Sequence, residues 1–153
     1  MIAWSMDSTY WWRPSNVSTA VTKGVEANIN FQVNKALTVN LNYTRLSAID
    51  TITDKWLIYR PRHQYKGTIN CKNYNDRLNC YLTGRYLSKR YTVDDNSRFL
   101  KGYFVADANI SCKLTKFAEL TLTVNNVFDR DYQEEEDYPM PGASFLLGTK
   151  LTF

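Results

Sequence analysis

Apolar and polar residues alternate with a period of two along most of the chain. Between Val25 and Val33 every second residue is apolar, and the residues between them are polar. Because successive side chains of a β-strand point to opposite faces, this pattern predicts a strand with one apolar and one polar face. The alternation recurs in further segments, at residues 37–44, 64–72, 78–86, 104–114, 120–125 and 144–153. Residues 1–5 look like the end of one more strand, and no segment has a helical period, so we predict an all-β fold of about eight strands.

The connections between these strands alternate in length. Short turns are predicted at residues 34–36, 75–76 and 115–117, and longer polar loops at residues 6–19, 48–61, 89–102 and 127–142. This order is typical of an antiparallel meander across a bilayer, with tight turns at one end and long loops at the other. Strands of about ten residues match the length that a tilted strand needs to cross a bilayer. A soluble antiparallel sandwich also alternates, but the long strands and the regular order of loops favour the membrane interpretation.

Aromatic residues make up 14% of the chain and gather near the predicted strand ends. Rings with a polar tip are enriched where a membrane meets water, so the pattern predicts two interfacial girdles. At the long-loop end the girdle residues would be Trp4, Trp11, Trp12, Trp56 and Tyr59. At the short-turn end they would be Phe31, Tyr74, Phe117 and Phe153.

Composition narrows the function classes. With 44% hydrophobic and 22% charged residues, a wholly disordered chain is not expected. The net charge of +4 is spread along the chain rather than clustered, so nucleic-acid binding is not predicted. No apolar run reaches the roughly 18 residues of a membrane helix, and residues 1–12 lack the features of a signal peptide. If the strands do span a membrane, we expect further sequence upstream.

Candidate catalytic and metal-binding chemistry is sparse. Three cysteines without a CxxC pair and one histidine, His63, do not form a metal-ligand spacing, so neither a metal nor a cofactor is predicted. Without a phosphate-binding loop or a nucleophile–base pair, an enzyme is not predicted either. The acidic run at residues 134–137 could in principle bind calcium but is interpreted as a solvated charge run.

Two cysteines fall on neighbouring strands of a predicted hairpin. A two-residue turn at residues 75–76 would set Cys71 opposite Cys80, at a non-hydrogen-bonded pair where side chains approach most closely. A cross-strand disulfide is therefore one hypothesis, and two small lipid-facing residues are the other.

Charged residues fall in phase with the polar face of several strands. They would line the interior of a barrel, where they could hold a plug, conduct anionic ligands or simply keep the interior wet. They are Glu26, Lys66, Lys72, Arg85, Asp107, Lys113 and Lys150.

The C-terminal stretch carries an ordered set of residues that runs to the end of the last strand. They are Asn126, Val127, Phe128, Asp129, Tyr132, Tyr138, Pro139, Pro141, Gly142 and Phe153. This set resembles the C-terminal signature of TonB-dependent outer-membrane receptors. Three earlier elements, at residues 23–26, 59–63 and 100–103, are also similar to the family in order and spacing. One departure is Ala143, where the family usually carries arginine.

The resemblance implies that residues 1–153 are the C-terminal portion of a barrel of about 22 strands, with the N-terminal plug absent. It also implies a receptor in the bacterial outer membrane for TonB-dependent uptake of a metal complex, such as a ferric siderophore or cobalamin. The partners would be membrane lipid, the TonB complex through the missing plug, the barrel-assembly machinery and the metal-complex ligand. The alternative is a complete eight-stranded barrel with a structural or adhesion role.

Particular residues carry these expectations. Trp11, Trp12, Trp56 and Tyr59 are the aromatic residues expected to contact the ligand on the extracellular side, although girdle duty explains them equally well. Phe153, with Leu151 on the same face, ends the last strand, and the resemblance implies that the assembly machinery recognises this end. An isolated sheet with two open edges is not tolerated in lipid, so we expect the chain alone to aggregate.

Overall fold

A single antiparallel sheet dominates the computed structural model, which describes residues 2–6, 8–16, 19–72, 75 and 77–152. The sheet contains seven strands. In chain order they are β3 (Ala20–Gln32), β4 (Leu37–Asp50), β5 (His63–Lys72), β6 (Leu78–Leu87), β9 (Tyr103–Lys113), β10 (Ala118–Asn125) and β13 (Ser144–Leu151). Each strand pairs with the next, which confirms the predicted meander. None of the described residues forms a helix long and apolar enough to cross a membrane.

The remaining strands form three short hairpins that the sequence analysis did not predict. Two of them lie within predicted loops, and the third includes the first predicted strand. They are β1 (Ile2–Met6) with β2 (Trp12–Asn16), β7 (Arg90–Tyr91) with β8 (Phe99–Leu100), and β11 (Gln133–Glu135) with β12 (Tyr138–Pro139). Residues 1–5 were predicted to be the end of a strand, and β1 is a strand at Ile2–Met6, although it pairs with β2 rather than with a strand of the main sheet. Residues 6–19, predicted as a loop, contain β2.

The strand register confirms the two faces. On one face Tyr43, Tyr65 and Tyr86 lie side by side on β4, β5 and β6, and Phe104 follows on β9. The ring centroids of Tyr43 and Tyr65 are 4.7 Å apart, and those of Tyr65 and Tyr86 are 5.9 Å apart. This aromatic row lies towards the long-loop ends of β5, β6 and β9. It lies near the strand ends, where a girdle is expected, but it is made of three tyrosines and a phenylalanine rather than of the predicted tryptophans.

Below the aromatic row the same face is apolar and exposed. Ile29 on β3 is 59% exposed and Leu147 on β13 is 67% exposed, and no second layer covers them among the described residues. An uncovered apolar face of this extent marks a surface that meets lipid or another protein.

The opposite face is polar, and side-chain amides on it are hydrogen-bonded to one another. Asn28 donates to Asn42, Asn42 donates to Asn40, and Asn40 donates to Asn30. Farther along the sheet the Asn109 side chain donates to Thr123 Oγ1 at 2.7 Å. The charged residues predicted for this face all fall in its register. The sheet thus separates an apolar surface from a hydrogen-bonded polar one.

Candidate functional site

A groove lies on the polar face at the long-loop end of the sheet, with a volume of about 580 Å³. Its floor is made by strand residues, including Lys66 on β5, Arg85 on β6 and Tyr103 on β9. Its rim is made by loop residues, including Tyr59, Arg90 and Glu134. We call this site the cationic groove, because these residues carry three positive charges and one negative charge.

The last long loop folds across one side of the groove. Residues 132–139, which contain the β11–β12 hairpin, form a segment that we call the strap. The Arg90 guanidinium donates to the backbone carbonyl oxygens of Gln133 and Glu134, the latter at 3.0 Å from Nη2. With 3% of its surface exposed, Arg90 is the buried anchor of the strap.

Of the four carboxylates of the strap, that of Glu134 lies in the groove. The Tyr103 hydroxyl donates to Glu134 Oε1 at 3.1 Å, and Arg85 Nη1 lies 3.6 Å from the same oxygen. Arg85 also donates to the Tyr132 hydroxyl at 3.2 Å, and the Tyr132 ring packs on Tyr103 with centroids 4.5 Å apart. The strap is therefore held by one carboxylate, two tyrosines and two arginines.

Positive charge in the groove exceeds what the strap satisfies. Arg85 Nε and Arg90 Nη1 are buried and have no hydrogen-bond partner among the described residues. Arg90 bonds to neutral carbonyl groups, and no carboxylate in the described part of the chain forms an ion pair with it. A buried guanidinium without a counter-ion is costly, so the groove favours an anionic group.

Among the predicted ligand contacts whose side chains the structure describes, one lies in the groove. Tyr59 lines it, with a backbone φ of 52° and an N–H that donates to the Tyr91 carbonyl oxygen. Trp11 is exposed on the loop between β1 and β2, and the Trp12 side chain lies outside the described part of the chain. A role in ligand contact stays a prediction for all of them.

Trp56 is held in a separate loop contact. Its ring lies under the Arg62 guanidinium at 3.8 Å, and its backbone N–H donates to Asn96 Oδ1 at 2.8 Å. Next to Asn96, the Ser97 hydroxyl and N–H both donate to Asp95, which holds the pKa of that carboxyl below its usual range. Trp56 thus joins two long loops outside the groove.

The assembly-signal residues are described only in part. Leu151 ends β13 opposite Ala118 and is exposed on the apolar face, as the alternation predicts. Phe153 lies outside the described residues. Recognition of this end stays a prediction.

The two cysteines pair as predicted, but the type of pair differs. Cys71 lies opposite Cys80, and both are free thiols in the structure. The Lys72 N–H donates to Ala36 on the β4 side, so Cys71 directs its own backbone groups towards β6. Cys71 and Cys80 therefore form a hydrogen-bonded pair, whose Cβ atoms are about 5.5 Å apart, whereas a disulfide needs about 3.5–4.5 Å.

The sequence suggested that the acidic run at residues 134–137 is solvated, but two of its carboxylates contact other side chains. Glu134 contacts Arg85 and Tyr103, and Glu136 pairs with Arg98 at 3.2 Å. Sequence analysis missed the roles of Arg90, Tyr103 and Glu134, since their partners are 31 to 49 residues away in the chain. Among the described residues no three His, Cys, Asp or Glu side chains cluster as metal ligands.

The Asn126–Asp129 element closes the base of the last long loop. Asn126 is buried and adopts φ 50°, and its side chain donates to the carbonyl oxygens of Arg130 and Pro141 at 3.0 and 3.2 Å. Asp129 adopts φ 48°, and its Oδ1 accepts the Ala143 N–H at 2.7 Å. Asn and Asp tolerate this left-handed backbone, so the two residues tie both ends of the loop together.

A family model and several solved structures match this chain. Residues 1–127 match the family model described as TonB dependent receptor-like, beta-barrel. Three solved structures share the fold: the siderophore receptor PiuA from Acinetobacter baumannii, the copper transporter OprC, and the ferripyoverdine receptor of the outer membrane of Pseudomonas aeruginosa bound to ferripyoverdine.

The structural agreement is close, although the sequences differ. The TM-scores are 0.77 for PiuA, 0.81 for OprC and 0.71 for the ferripyoverdine receptor, at 19%, 18% and 22% identity. The matches cover 86%, 99% and 94% of this chain. They cover only 22%, 26% and 20% of those proteins, so the chain spans about a quarter of the length of each.

Proposed function

Because this chain belongs to the TonB-dependent receptor-like β-barrel family, we propose that it forms part of an outer-membrane receptor that takes up a small metal complex. A ferric siderophore or cobalamin is the kind of complex that we propose. Proteins of this family lie in the outer membrane and act as receptors and transporters rather than as enzymes. The apolar face of the sheet would contact lipid, and the polar face would line the interior.

The observation that carries the proposal is the cationic groove at the long-loop end of the polar face. In an outer-membrane barrel the long loops are extracellular, so the groove would lie where a ligand enters. Tyr59 adds an aromatic ring beside Lys66 and Arg85, and Arg90 and Tyr103 lie buried next to them. Such a combination of aromatic rings and positively charged side chains suits a metal chelate with aromatic or anionic groups on its surface.

The two open edges of the sheet support the proposal that other strands complete the wall of a barrel. Strands β3 and β13 are the two edges of the sheet, and they are not paired with each other. Hydrocarbon does not tolerate unpaired backbone groups, so we propose that further strands of a larger barrel cover these edges. The alternative, an eight-stranded barrel that closes on itself, finds no support in this topology.

The partners follow from this arrangement as proposals. We propose that a plug domain outside this chain fills the barrel and transmits force from the TonB complex. We also propose that the end of β13, with Leu151 and Phe153, is recognised by the barrel-assembly machinery, because an exposed strand edge can accept another strand. Assignment of residues 128–153 to the same domain is likewise a proposal, although β13 pairs with β10 along its length.

The proposed function is tested by uptake in cells. The gene that encodes this chain is deleted, and uptake of ⁵⁵Fe-labelled chelates and ⁵⁷Co-labelled cobalamin is compared with the parent and the complemented strain. We expect uptake of one complex to be lost on deletion, restored by the gene, and abolished in cells without TonB. Equal uptake of every complex by deletion and parent strains would contradict the proposal.

A further inference from the structure

The apolar face of the main sheet carries charged side chains at one place. All residues of its seven strands are described, and the register assigns each of them to one face. On the apolar face of these strands the charged residues are Lys23 on β3 and Arg45 on β4, and no Asp or Glu accompanies them. The carboxylates of the seven strands all fall on the polar face. They are Glu26, Asp50, Asp107 and Glu119.

The two cations lie close together on neighbouring strands. Arg45 is opposite Val25 on β3, and Lys23 is the next residue of β3 on the same face, opposite Ser47. The Cβ atoms of such diagonal neighbours are about 7–8 Å apart, a distance that two long side chains can bridge through one ligand. On its other side Arg45 is opposite His63, the first residue of β5. We call Lys23, Arg45 and His63 the outward cluster.

The outward cluster has hydrogen-bond donors that the chain does not use. Lys23 and Arg45 are exposed, and neither side chain forms a hydrogen bond or an ion pair with a described residue. His63 Nδ1 lies 3.0 Å from the Tyr43 hydroxyl, which leaves Nε2 as the ring nitrogen without a partner in the described part of the chain. A guanidinium and an ammonium group together offer up to eight N–H donors, so the cluster favours an anionic ligand.

The cluster lies at the level where lipid headgroups meet the barrel. Tyr43 and Tyr65 belong to the aromatic row, and Arg45 and His63 are the next residues of the same face towards the long loops. Aromatic girdles mark the boundary between hydrocarbon and headgroups, and the long loops of an outer-membrane barrel are extracellular. The cluster therefore faces the headgroups of the outer leaflet, where a lysine or arginine is far less costly than at the bilayer centre.

We propose that the outward cluster binds a phosphate group of an outer-leaflet lipid. Arg45 would accept two phosphate oxygens in its planar fork, and Lys23 would add a second positive charge to the same group. The acyl chains of the lipid would lie on the exposed apolar face beyond the aromatic row, which includes Ile29 and Leu41. Charge complementarity identifies the lipid as anionic, since this face supplies no carboxylate to neutralise the cluster.

This site goes beyond the proposed function. It is on the outside of the barrel wall, whereas the cationic groove is on the inside, and it does not depend on which complex the barrel takes up. The lipid would hold the wall in the membrane at one depth.

The chain offers matched variants for the test. K23Q and R45Q each remove one positive charge from the cluster. K35Q removes a lysine from the exposed turn at the other end of the same β3–β4 hairpin, and R77Q removes an exposed arginine from the turn between β5 and β6. K23R keeps the charge of the cluster and changes only the shape of the side chain.

The native product of the gene is purified in detergent, freed of bound lipid by exchange into fresh detergent, and checked for the heat-dependent gel mobility of a folded barrel. Two probes are then titrated, and native mass spectrometry measures the fraction of protein that carries each of them. The probes are lipid A, a glycolipid with two phosphate groups, and the same lipid after enzymatic removal of both phosphates. Inorganic phosphate is added in a separate titration as a competitor.

We expect the phosphorylated lipid to bind more tightly than the dephosphorylated one. K23Q and R45Q should each weaken binding of the phosphorylated lipid about fivefold, because one positive charge beside its phosphate is lost. K35Q, R77Q and K23R should bind it as the unaltered protein does. Inorganic phosphate should not displace it, since free phosphate lacks the acyl chains.

Equal binding of the two lipids by the unaltered protein would overturn the proposal, and this comparison needs no variant to fold. The same weakening by K35Q and R77Q as by K23Q and R45Q would also overturn it, because the effect would then come from net charge. Displacement by inorganic phosphate would reject a lipid as the occupant. Each of these results would leave the uptake experiment to decide the proposed function separately.

Discussion

At the scale of single residues, the base of the last long loop depends on a few side chains that accept an uncommon backbone. Asn126 and Asp129 both adopt positive φ, and each uses its side chain to bond the returning end of the loop near Pro141 and Ala143. The Asn-Val-Phe-Asp sequence is therefore explained by geometry as well as by resemblance. These two residues hold together the ends of the loop that contains the strap.

Gly142 is required by the close approach of Asp129. A Cβ atom at residue 142 would lie 2.6 Å from Asp129 Oδ1, whereas a Cβ atom at Gly148 would have its nearest neighbour 4.0 Å away. We expect G142A to destabilise the barrel by about 1 kcal/mol, because the Asp129 carboxylate must move away and loses the hydrogen bond that it accepts from the Ala143 N–H. The measurement is the urea midpoint of unfolding in lipid vesicles.

G148A is the control for this prediction, since it makes the same chemical change on β13 without a clash. We expect its midpoint to stay close to that of the unaltered protein. Equal midpoints for G142A and G148A would show that the Asp129 contact does not constrain residue 142.

At the scale of elements, the alternation of apolar and polar residues was sufficient to predict the seven strands of the sheet and their order, and the turn at residues 75–76 predicted the Cys71–Cys80 register. The alternation was not sufficient for the short hairpins, because β7, β8, β11 and β12 have only two or three residues, too few to show a period, and β2 is a mostly polar segment that includes a proline. Nor could it reveal the strap, since the contacts of Glu134 with Arg85 and Tyr103 join distant parts of the chain. The residues expected to contact ligand were chosen as aromatic residues at the long-loop end, and of those whose side chains are described Tyr59 lines the groove.

The two faces of β13 can be distinguished by a charge. Leu147 lies opposite Leu122 on the apolar face and Leu146 opposite Thr123 on the polar face, and both are about two-thirds exposed. We expect L147K to destabilise the barrel by about 2–4 kcal/mol, because the charge would lie in lipid, and L146K to be tolerated. Unfolding in lipid vesicles measures both. Equal destabilisation by the two substitutions would contradict the assignment of faces.

The backbone pairing of Cys71 and Cys80 predicts that they remain thiols. Their Cβ atoms are farther apart than a disulfide allows unless the backbone moves. We expect Cys71, Cys80 and Cys112 of the unfolded native protein to be alkylated without prior reduction, as seen by the masses of the peptides that carry them. Peptides in which Cys71 and Cys80 are alkylated only after reduction would instead support the cross-strand disulfide.

At the scale of the whole molecule, the sheet is a single layer whose apolar face is uncovered and whose polar face carries the groove. A soluble protein of this size buries its large apolar residues, whereas here the buried hydrophobic residues among those described are Ala48, Tyr103, Val105 and Ala106. They lie towards the long-loop end rather than between two layers. This distribution suits a wall between lipid and a wet interior, closed by strands beyond β3 and β13.

The measurement that tests this account most directly is a scan of solvent accessibility along β6. In the native protein with all its cysteines replaced by alanine, a nitroxide label is placed at each of residues 78–87 in turn. Its collisions with oxygen, which concentrates in lipid, and with a water-soluble nickel chelate are then measured in vesicles. The account predicts a period of two, with oxygen favoured at 78, 80, 82, 84 and 86 and the nickel chelate favoured at the residues between them. Accessibility without this alternation, or with the opposite phase, would contradict a membrane-spanning wall.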